Sequence, residues 1–223
     1  MAIKPNPVLR STKDGSHTVY IKKLDEHYHS LFGAVTESTH VFIDAGLKIS
    51  TGNQINLLEM GFGTGLNAIL TLASTIGSGR NIHYTAYEKH PLGKDIFSSL
   101  NYASFLEEKN TKYFNLMHEV PWNREATIIE EFRLLKIEAD ICSLDIQNKF
   151  DLVYFDAFAP DKQPELWSTE IFNKIFLSMR PGSILTTYSS KGQIRRNLQE
   201  AGFLVEKIPG PPGKHDMTRA FKK

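Results

Sequence analysis

Residues 55–67, INLLEMGFGTGLN, constrain this chain more than any other stretch. A short apolar run ends on an acidic residue, Glu59, and turns at once through Gly61, Gly63 and Gly65. An apolar run without alternation reads as a buried parallel strand, and glycines directly after it let the backbone pass close to a ligand before the next helix begins. The spacing narrows the ligand. A dinucleotide fingerprint needs its third glycine three positions after the second, but Leu66 stands there and the third glycine comes early, at Gly65. A nicotinamide-dependent oxidoreductase is therefore disfavoured. The remaining alternative to a cofactor turn is an ordinary strand, turn and helix with no ligand.

The pattern continues on both sides of this loop. Residues 8–21, VLRSTKDGSHTVYI, put β-rich flanks around Asp14-Gly15, a hairpin signal. Val41, Phe42, Ala45 and Ile49 recur at helical intervals in 37–49, which predicts a helix packing this attachment onto the main sheet. A helix after the glycine loop carries Leu66, Ile69, Leu70 and Ala73 on one side. A second strand is expected at 82–87, and Pro91 suits the first turn of the following helix. Helices interrupted near Pro121-Trp122 and a strand at 126–129 come next. Strands at 134–139, 150–155 and 183–187 follow, with helices at 168–179 and 191–201 between the later ones, each closed by a Pro-Gly or Gly signal. Segments 203–207 and 218–221 complete the sheet as an antiparallel edge pair. The expected fold is α/β, a doubly wound, mostly parallel sheet. Residues 1–50 form its N-terminal hairpin and helix attachment, and 51–223 the main domain.

In such a sheet ligands bind outside the carboxyl ends of the strands. Glu59 ends the first strand, Glu88 the second, Asp140 the third and Asp156 the fourth. An acidic residue two places before the first of several alternating glycines resembles the pattern of class I methyltransferases, whose Rossmann-like fold binds S-adenosyl-L-methionine. That resemblance implies a cofactor site at Glu59, Gly61, Phe62, Gly63, Gly65 and Asn67, with the loop amides meeting a carboxylate and Glu59 an ammonium. Glu88, beside Lys89, suits the two ribose hydroxyls, Asp140 the adenine amino group, and Asp156 the reacting end of the site. Singly, each carboxylate has a plainer explanation as a helix cap or turn residue. Asp156 has a distinctive setting, VYFDAFAPDKQPELW, where Phe158, Pro160, Pro164 and Trp167 offer an apolar wall. A carboxylate in an aromatic pocket suits an amine undergoing methylation, because it orients the ammonium and helps remove its proton. The alternative is a capping Asp156 among core aromatics.

Composition limits the rest. With 41% hydrophobic and 23% charged residues, 223 residues fit one domain with a large core and one appendage. The start, MAIKPNPVLRSTKDG, has no apolar leader, and no apolar run is long enough to span a bilayer, so a cytoplasmic protein is expected. No Cys/His spacing suggests a metal, and the single cysteine, Cys142, is expected to be a small buried hydrophobe. The net charge of +1 hides an asymmetry: from Ser189 onward eight basic residues face three acidic ones, leaving −4 on residues 1–188. A basic C-terminal face suits a polyanion; a solvated helix and tail is the plainer reading.

Several stretches together resemble one family, the tRNA (5-methylaminomethyl-2-thiouridine) methyltransferases, found as the methyltransferase half of a bifunctional wobble-uridine modification protein and also alone. They are ESTHVFI (37–43), GFGTGLN (61–67), YEKHPL (87–92), FDAFAPDKQPELW (155–167), SSKGQIRRNLQEAGF (189–203) and PGPPGKHDM (209–217). The loop at 155–167 is the most specific of them. Ala139 stands before Asp140 where many relatives have glycine, which weakens the adenine assignment. The resemblance implies methyl transfer from S-adenosyl-L-methionine to 5-aminomethyl-(2-thio)uridine in the tRNA anticodon stem-loop, with Asp156 catalytic. It also implies a substrate surface of Phe158, Pro160, Lys191, Arg195, Arg196, Lys214 and Arg219. With no flavin-dependent half in these residues, the aminomethyl tRNA is expected to come from another enzyme. Two other classes stay open: a small-molecule amine methyltransferase, and a noncatalytic cofactor- or RNA-binding module. The tRNA isoacceptors, the need for the 2-thio group and the oligomeric state are not legible.

Overall fold

The apolar run before the glycine loop forms β4 (Gln54–Met60), the strand around which the sheet is built in the computed structural model, which describes residues 7–223. Its side chains alternate between two layers. Ile55 and Leu57 face one core, while Leu58 and Met60 face the other. The first core is closed by α1 (Ala34–Ser38), by a π-helical stretch that continues it (Thr39–Leu47), by α2 (Leu66–Thr75) and by α4 (Thr111–Glu119). The second is closed by α5 (Thr169–Ser178) and α6 (Gly192–Glu200).

Eight strands make the main sheet. β5 (Asn81–Glu88) and β8 (Phe150–Phe155) flank β4 in parallel. Beyond β5 lies β7 (Phe132–Glu138), parallel to it, and then β6 (Ala126–Ile129), antiparallel. Beyond β8 lie β9 (Met179–Thr187), β11 (Asp216–Phe221) and the edge strand β10 (Leu204–Pro209), the last two forming the expected antiparallel pair. The chain builds β4, β5 and β7 on one side and then crosses to β8 on the other. The crevice outside β4 and β8 is thus the switch point where such sheets take ligands.

The hairpin about Asp14-Gly15 is β1 (Pro7–Ser11) paired with β2 (His17–Ile21), extended by β3 (Glu26–His27) into a three-stranded sheet. Residues 1–6 of the expected attachment lie outside the described residues.

Four expectations are corrected. The helix at 37–49 begins earlier, at Ala34, and widens after Ser38, with Lys48 N–H donating five residues back to Ile43 O at 2.9 Å. Pro91 does not open a helix: α3 (Lys94–Phe97) starts after Gly93, and Pro91 lies in the loop at the cavity wall. Pro181-Gly182 does not end a helix but sits inside β9, where Gly182 takes φ +83° and the pairing with β8 shifts register. Cys142 is exposed rather than buried, and its N–H donates to Asp140 Oδ1 at 2.9 Å. On α2 the innermost apolar residues are Ala68, Ile69 and Leu72, with Leu70 and Ala73 half-buried.

Candidate active site

Asn67, in the first turn of α2, ties two strand ends together. Its Nδ2 donates to Glu59 Oε1 at 2.9 Å and to Asp156 Oδ2 at 2.8 Å, using both amide hydrogens. Glu59 is 1% exposed, and burial pushes its carboxyl well above the usual range, against the opposing pull of the Asn67 bond. Asp156 keeps some contact with the open cavity. Burial raises it to about 7, the Asn67 bond opposes the rise, Glu37 adds to it and Lys214 reduces it. Glu59 Oε2 and Asn67 Oδ1 are buried without a hydrogen-bond partner. Both can accept, and the Tyr84 hydroxyl, also buried without a partner, is a spare donor for Glu59; the remaining acceptor capacity fits an ammonium such as that of S-adenosyl-L-methionine.

The three loop glycines have different neighbours. Gly61 (φ +87°) would place a Cβ 3.6 Å from Asp156 O, an ordinary contact. At Gly63 (φ +52°) a Cβ would stand 2.9 Å from the Tyr28 ring. At Gly65 (φ +73°) it would meet His118 Nε2 at 2.8 Å and the Phe62 ring at 3.2 Å, so this glycine faces the core side of the loop. Glu88 braces the same loop, accepting from Gly63 N–H at 3.0 Å and from His90 N–H at 2.7 Å. Each carboxylate oxygen retains acceptor capacity. Asp140 accepts from Lys89 Nζ at 2.8 Å and from Cys142 N–H, which hold its carboxyl at about 2.

A cavity of about 1200 Å³ joins these groups. Its walls include Glu59, Gly61, Phe62 and Gly63 from β4 and the glycine loop, Asn67 from α2, and Glu88, Lys89 and Asp140 from the next two strand ends. Asp156, Phe158 and Lys214 line it as well. Gly65, Pro160, Lys191, Arg195, Arg196 and Arg219 are not on its walls. Trp167 is core, packed on Phe155 and Tyr188, but its Nε1–H donates to Phe158 O at 2.8 Å and stiffens the Asp156 loop.

The C-terminal cations are widely engaged within the protein. Lys191 pairs with Asp161, and Arg219 with Glu206 at 2.9 Å. Arg195 Nη1 donates to Ser190 O and Arg196 Nη2 to Gln193 Oε1, each at 2.8 Å, with Arg196 exposed. Lys214 pairs with buried Glu37 and lies 4.1 Å from the Tyr188 ring centroid.

Sequence reasoning missed Tyr28, Glu37 and Tyr188, which also line the cavity. Tyr28 and Glu37 come from the attachment, whose sequence pattern speaks only of packing. Glu37 heads the stretch ESTHVFI, whose acidic residue on an otherwise buried helix was the available signal. Among the described residues no group of three or more His, Cys, Asp or Glu is arranged to hold a metal ion, and no helix is long and apolar enough to cross a membrane.

Comparison with known proteins gives a consistent result. The model of a family described as S-adenosyl-L-methionine-dependent methyltransferase matches residues 102–223. The tRNA 5-methylaminomethyl-2-thiouridine biosynthesis bifunctional protein MnmC of Campylobacter hominis is 30% identical over 211 residues, covering 91% of this chain and 31% of that protein. Its counterpart from Cupriavidus metallidurans is 29% identical over 228 residues, covering 96% of this chain and 33% of that protein. The chain thus spans about a third of the length of these curated relatives. Among solved structures, MNMC2 from Aquifex aeolicus superposes with a TM-score of 0.78 at 25% identity, covering 100% of this chain and 72% of that one. Spermidine synthase from Thermotoga maritima, with a TM-score of 0.54 at 11% identity over 97% of this chain and 72% of that one, shares the fold.

Proposed function

The chain belongs to the S-adenosyl-L-methionine-dependent methyltransferase family, and from that premise we propose that it is an N-methyltransferase converting 5-aminomethyl-(2-thio)uridine to 5-methylaminomethyl-(2-thio)uridine at the tRNA wobble position. The observation that carries this reading is Asp156. It is a carboxylate near neutrality, bonded through Asn67 to the Glu59 cradle and flanked in its cavity by Phe158 and Tyr188. Likeness to the tRNA 5-methylaminomethyl-2-thiouridine biosynthesis proteins supports the choice of RNA over a small amine.

When bound, S-adenosyl-L-methionine supplies an electrophilic methyl group on a sulfonium. Glu59 Oε2 and Asn67 Oδ1 would accept hydrogen bonds from its ammonium, and the glycine loop and the N-terminus of α2 would attract its carboxylate. Glu88 would take the ribose hydroxyls. Asp140, held ionised by Lys89, would take the adenine amino group. Asp156 orients the substrate amine and accepts its proton, which a carboxyl near pH 7 does without a large penalty in either state. Phe158 and Tyr188 exclude water around the base, and Pro160, off the cavity wall, stiffens the loop that carries Phe158. Lys191, Arg195, Arg196, Lys214 and Arg219 offer cations to the phosphates of the anticodon stem-loop. In this reading residues 1–50 are an attachment to a methyltransferase domain of residues 51–223, and the attachment contributes Glu37, the partner of Lys214.

The test uses purified protein, S-adenosyl-L-methionine and tRNA carrying 5-aminomethyl-2-thiouridine, with nucleoside mass spectrometry as readout. The expected product is the 5-methylaminomethyl nucleoside. No methyl gain on that nucleoside under conditions where the protein binds cofactor sinks the proposal. Equal rates on tRNA and on the free nucleoside favour a small-molecule amine methyltransferase instead.

A further inference from the structure

Tyr28 reaches from the three-stranded N-terminal sheet into the switch-point crevice, and nothing in its sequence context marks it. Its position is fixed by neighbours rather than by its own hydroxyl. The Tyr28 N–H donates to Val19 O at 2.9 Å. The next residue, His29, is anchored by its N–H to Thr18 Oγ1 at 2.9 Å and by a 2.7 Å bond between its Nε2 and Thr64 Oγ1 in the glycine loop. Burial lowers the His29 imidazole to about 4, so this anchor is neutral and constant over ordinary pH.

The ring so placed touches both loops that build the reacting end of the site. On one side it stands against Gly63, where a Cβ would lie 2.9 and 3.0 Å from its Cε1 and Cδ1. On the other it meets Phe158 edge-on, with ring centroids 4.9 Å apart and planes at 70°. Phe158 is two residues beyond Asp156, and Gly63 is four beyond Glu59. Tyr28 thus lines the cavity between the glycine loop and the loop that follows Asp156, the two segments that flank the Glu59–Asn67–Asp156 cluster. Its hydroxyl makes no hydrogen bond among the described residues, and burial with the nearby Glu88 charge keeps it protonated.

Resting on the methyltransferase reading above, we propose that Tyr28 is a catalytic residue of the methyl transfer. Its ring walls the reaction path beside the glycine loop, holds the reacting groups in line and offers an aromatic face to the cationic sulfonium. Alignment of nucleophile and electrophile is the largest lever available to a reaction needing neither metal nor covalent intermediate. An aromatic face near a desolvated cation adds selective binding of the charged cofactor over its neutral product. The requirement for glycine at position 63 follows from the same contact, since any side chain there displaces the ring.

Tyr28→Ala and Tyr28→Phe test the proposal by three readouts: calorimetric affinities for S-adenosyl-L-methionine and S-adenosylhomocysteine, the single-turnover rate at saturating tRNA, and the tRNA dissociation constant. Tyr28→Ala is expected to lower the single-turnover rate by about tenfold or more. It should also shift the ratio of the two cofactor affinities toward the neutral product by about threefold to tenfold, with tRNA binding unchanged. Tyr28→Phe, which keeps the ring, should restore most of both. A wild-type rate and ratio in a folded Tyr28→Ala protein overturn the proposal, as does weakened tRNA binding with an unchanged ratio. If Tyr28→Ala does not fold, Gly63→Ala pushes the ring aside and should give the same ratio shift; an unchanged ratio there overturns the proposal too. The affinity ratio requires no RNA, so it tests Tyr28 even if aminomethyl tRNA proves not to be the substrate.

Discussion

Asp156→Asn removes one charge from the site and keeps its shape, and the expected consequences follow from the position of that carboxyl near pH 7. With a pKa of about 7, Asp156 is roughly one-tenth ionised at pH 6 and nine-tenths ionised at pH 8. The single-turnover methylation rate should therefore rise by roughly tenfold between those values, before any contribution from titration of the substrate amine. In Asp156→Asn the rate should fall by about 10²-fold or more at pH 8, and the inflection belonging to Asp156 should vanish. Cofactor affinity should largely persist, because an amide oxygen at position 156 still accepts from Asn67 Nδ2. Stability carries the opposite sign. A carboxyl raised from 3.8 in the unfolded chain to about 7 in the folded one favours the folded state when protonated. That advantage is present below pH 4 and is lost as pH rises through 7. The rise corresponds to roughly 4 kcal/mol at most, reduced by the solvent that reaches the open cavity. Asp156→Asn should thus flatten the decline in denaturant midpoint between pH 5 and 8, measured by urea titration. An identical pH inflection in the variant, or near-normal turnover at saturating tRNA, would refute the assignment of Asp156 as the group that positions and deprotonates the amine.

Other consequences follow from the same geometry. Gly63→Arg should abolish S-adenosyl-L-methionine binding in calorimetry because a bulky cation there occupies the ligand's volume, while the domain stays folded at a cost on the order of 1 kcal/mol for a side chain at φ +52° against the Tyr28 ring; wild-type affinity would remove the loop from the site. Arg195→Ala with Arg196→Ala should weaken tRNA binding and flatten its salt dependence by roughly 0.7 to 0.9 log units for each phosphate the protein no longer neutralises, with cofactor affinity unchanged. An unchanged salt slope would show that α6 is solvated surface and that RNA docks elsewhere. Glu37→Gln should loosen the 210–215 loop by removing the charge that holds Lys214, lowering stability by about 1 to 2 kcal/mol and raising the tRNA Michaelis constant; equal stability and kinetics would make the pair incidental.

The framework is legible in the sequence because its signals are local. A buried parallel strand announces itself as an apolar run, as in β4 and β8, while β5 is marked by Ile82, Tyr84 and Ala86 alternating with His83 and Thr85. The failures lie where tertiary context overrides a local cue. Pro181-Gly182 has the composition of a turn, yet pairing with β8 and a bond from Gly182 N–H to Lys222 O keep it within a bulged strand. Cys142 lies in a single 3-10 turn, Ile141–Ser143, where the capping bond from its N–H to Asp140, not residue hydrophobicity, fixes its position.

The site divides along the same line. Glu59, Glu88, Asp140 and Asp156 are identifiable because strand ends in a doubly wound sheet converge by topology, so four positions in sequence imply one place in space. Tyr28 and Glu37 have no such rule. They reach the cavity because the hairpin attachment folds back over the switch point, a placement set by contacts such as His29 with Thr64 and Glu37 with Lys214, far apart in sequence. The attachment and the main sheet also share one continuous core through Val19, Ile21, Val41 and Phe42. Tyr28 packs against that core, held by its own N–H to Val19 O and by the Thr64 anchor of its neighbour His29. The role proposed for Tyr28 asks for a side chain fixed in this way by packing and by hydrogen bonds of its neighbours, which a loop tip exposed to solvent would not provide.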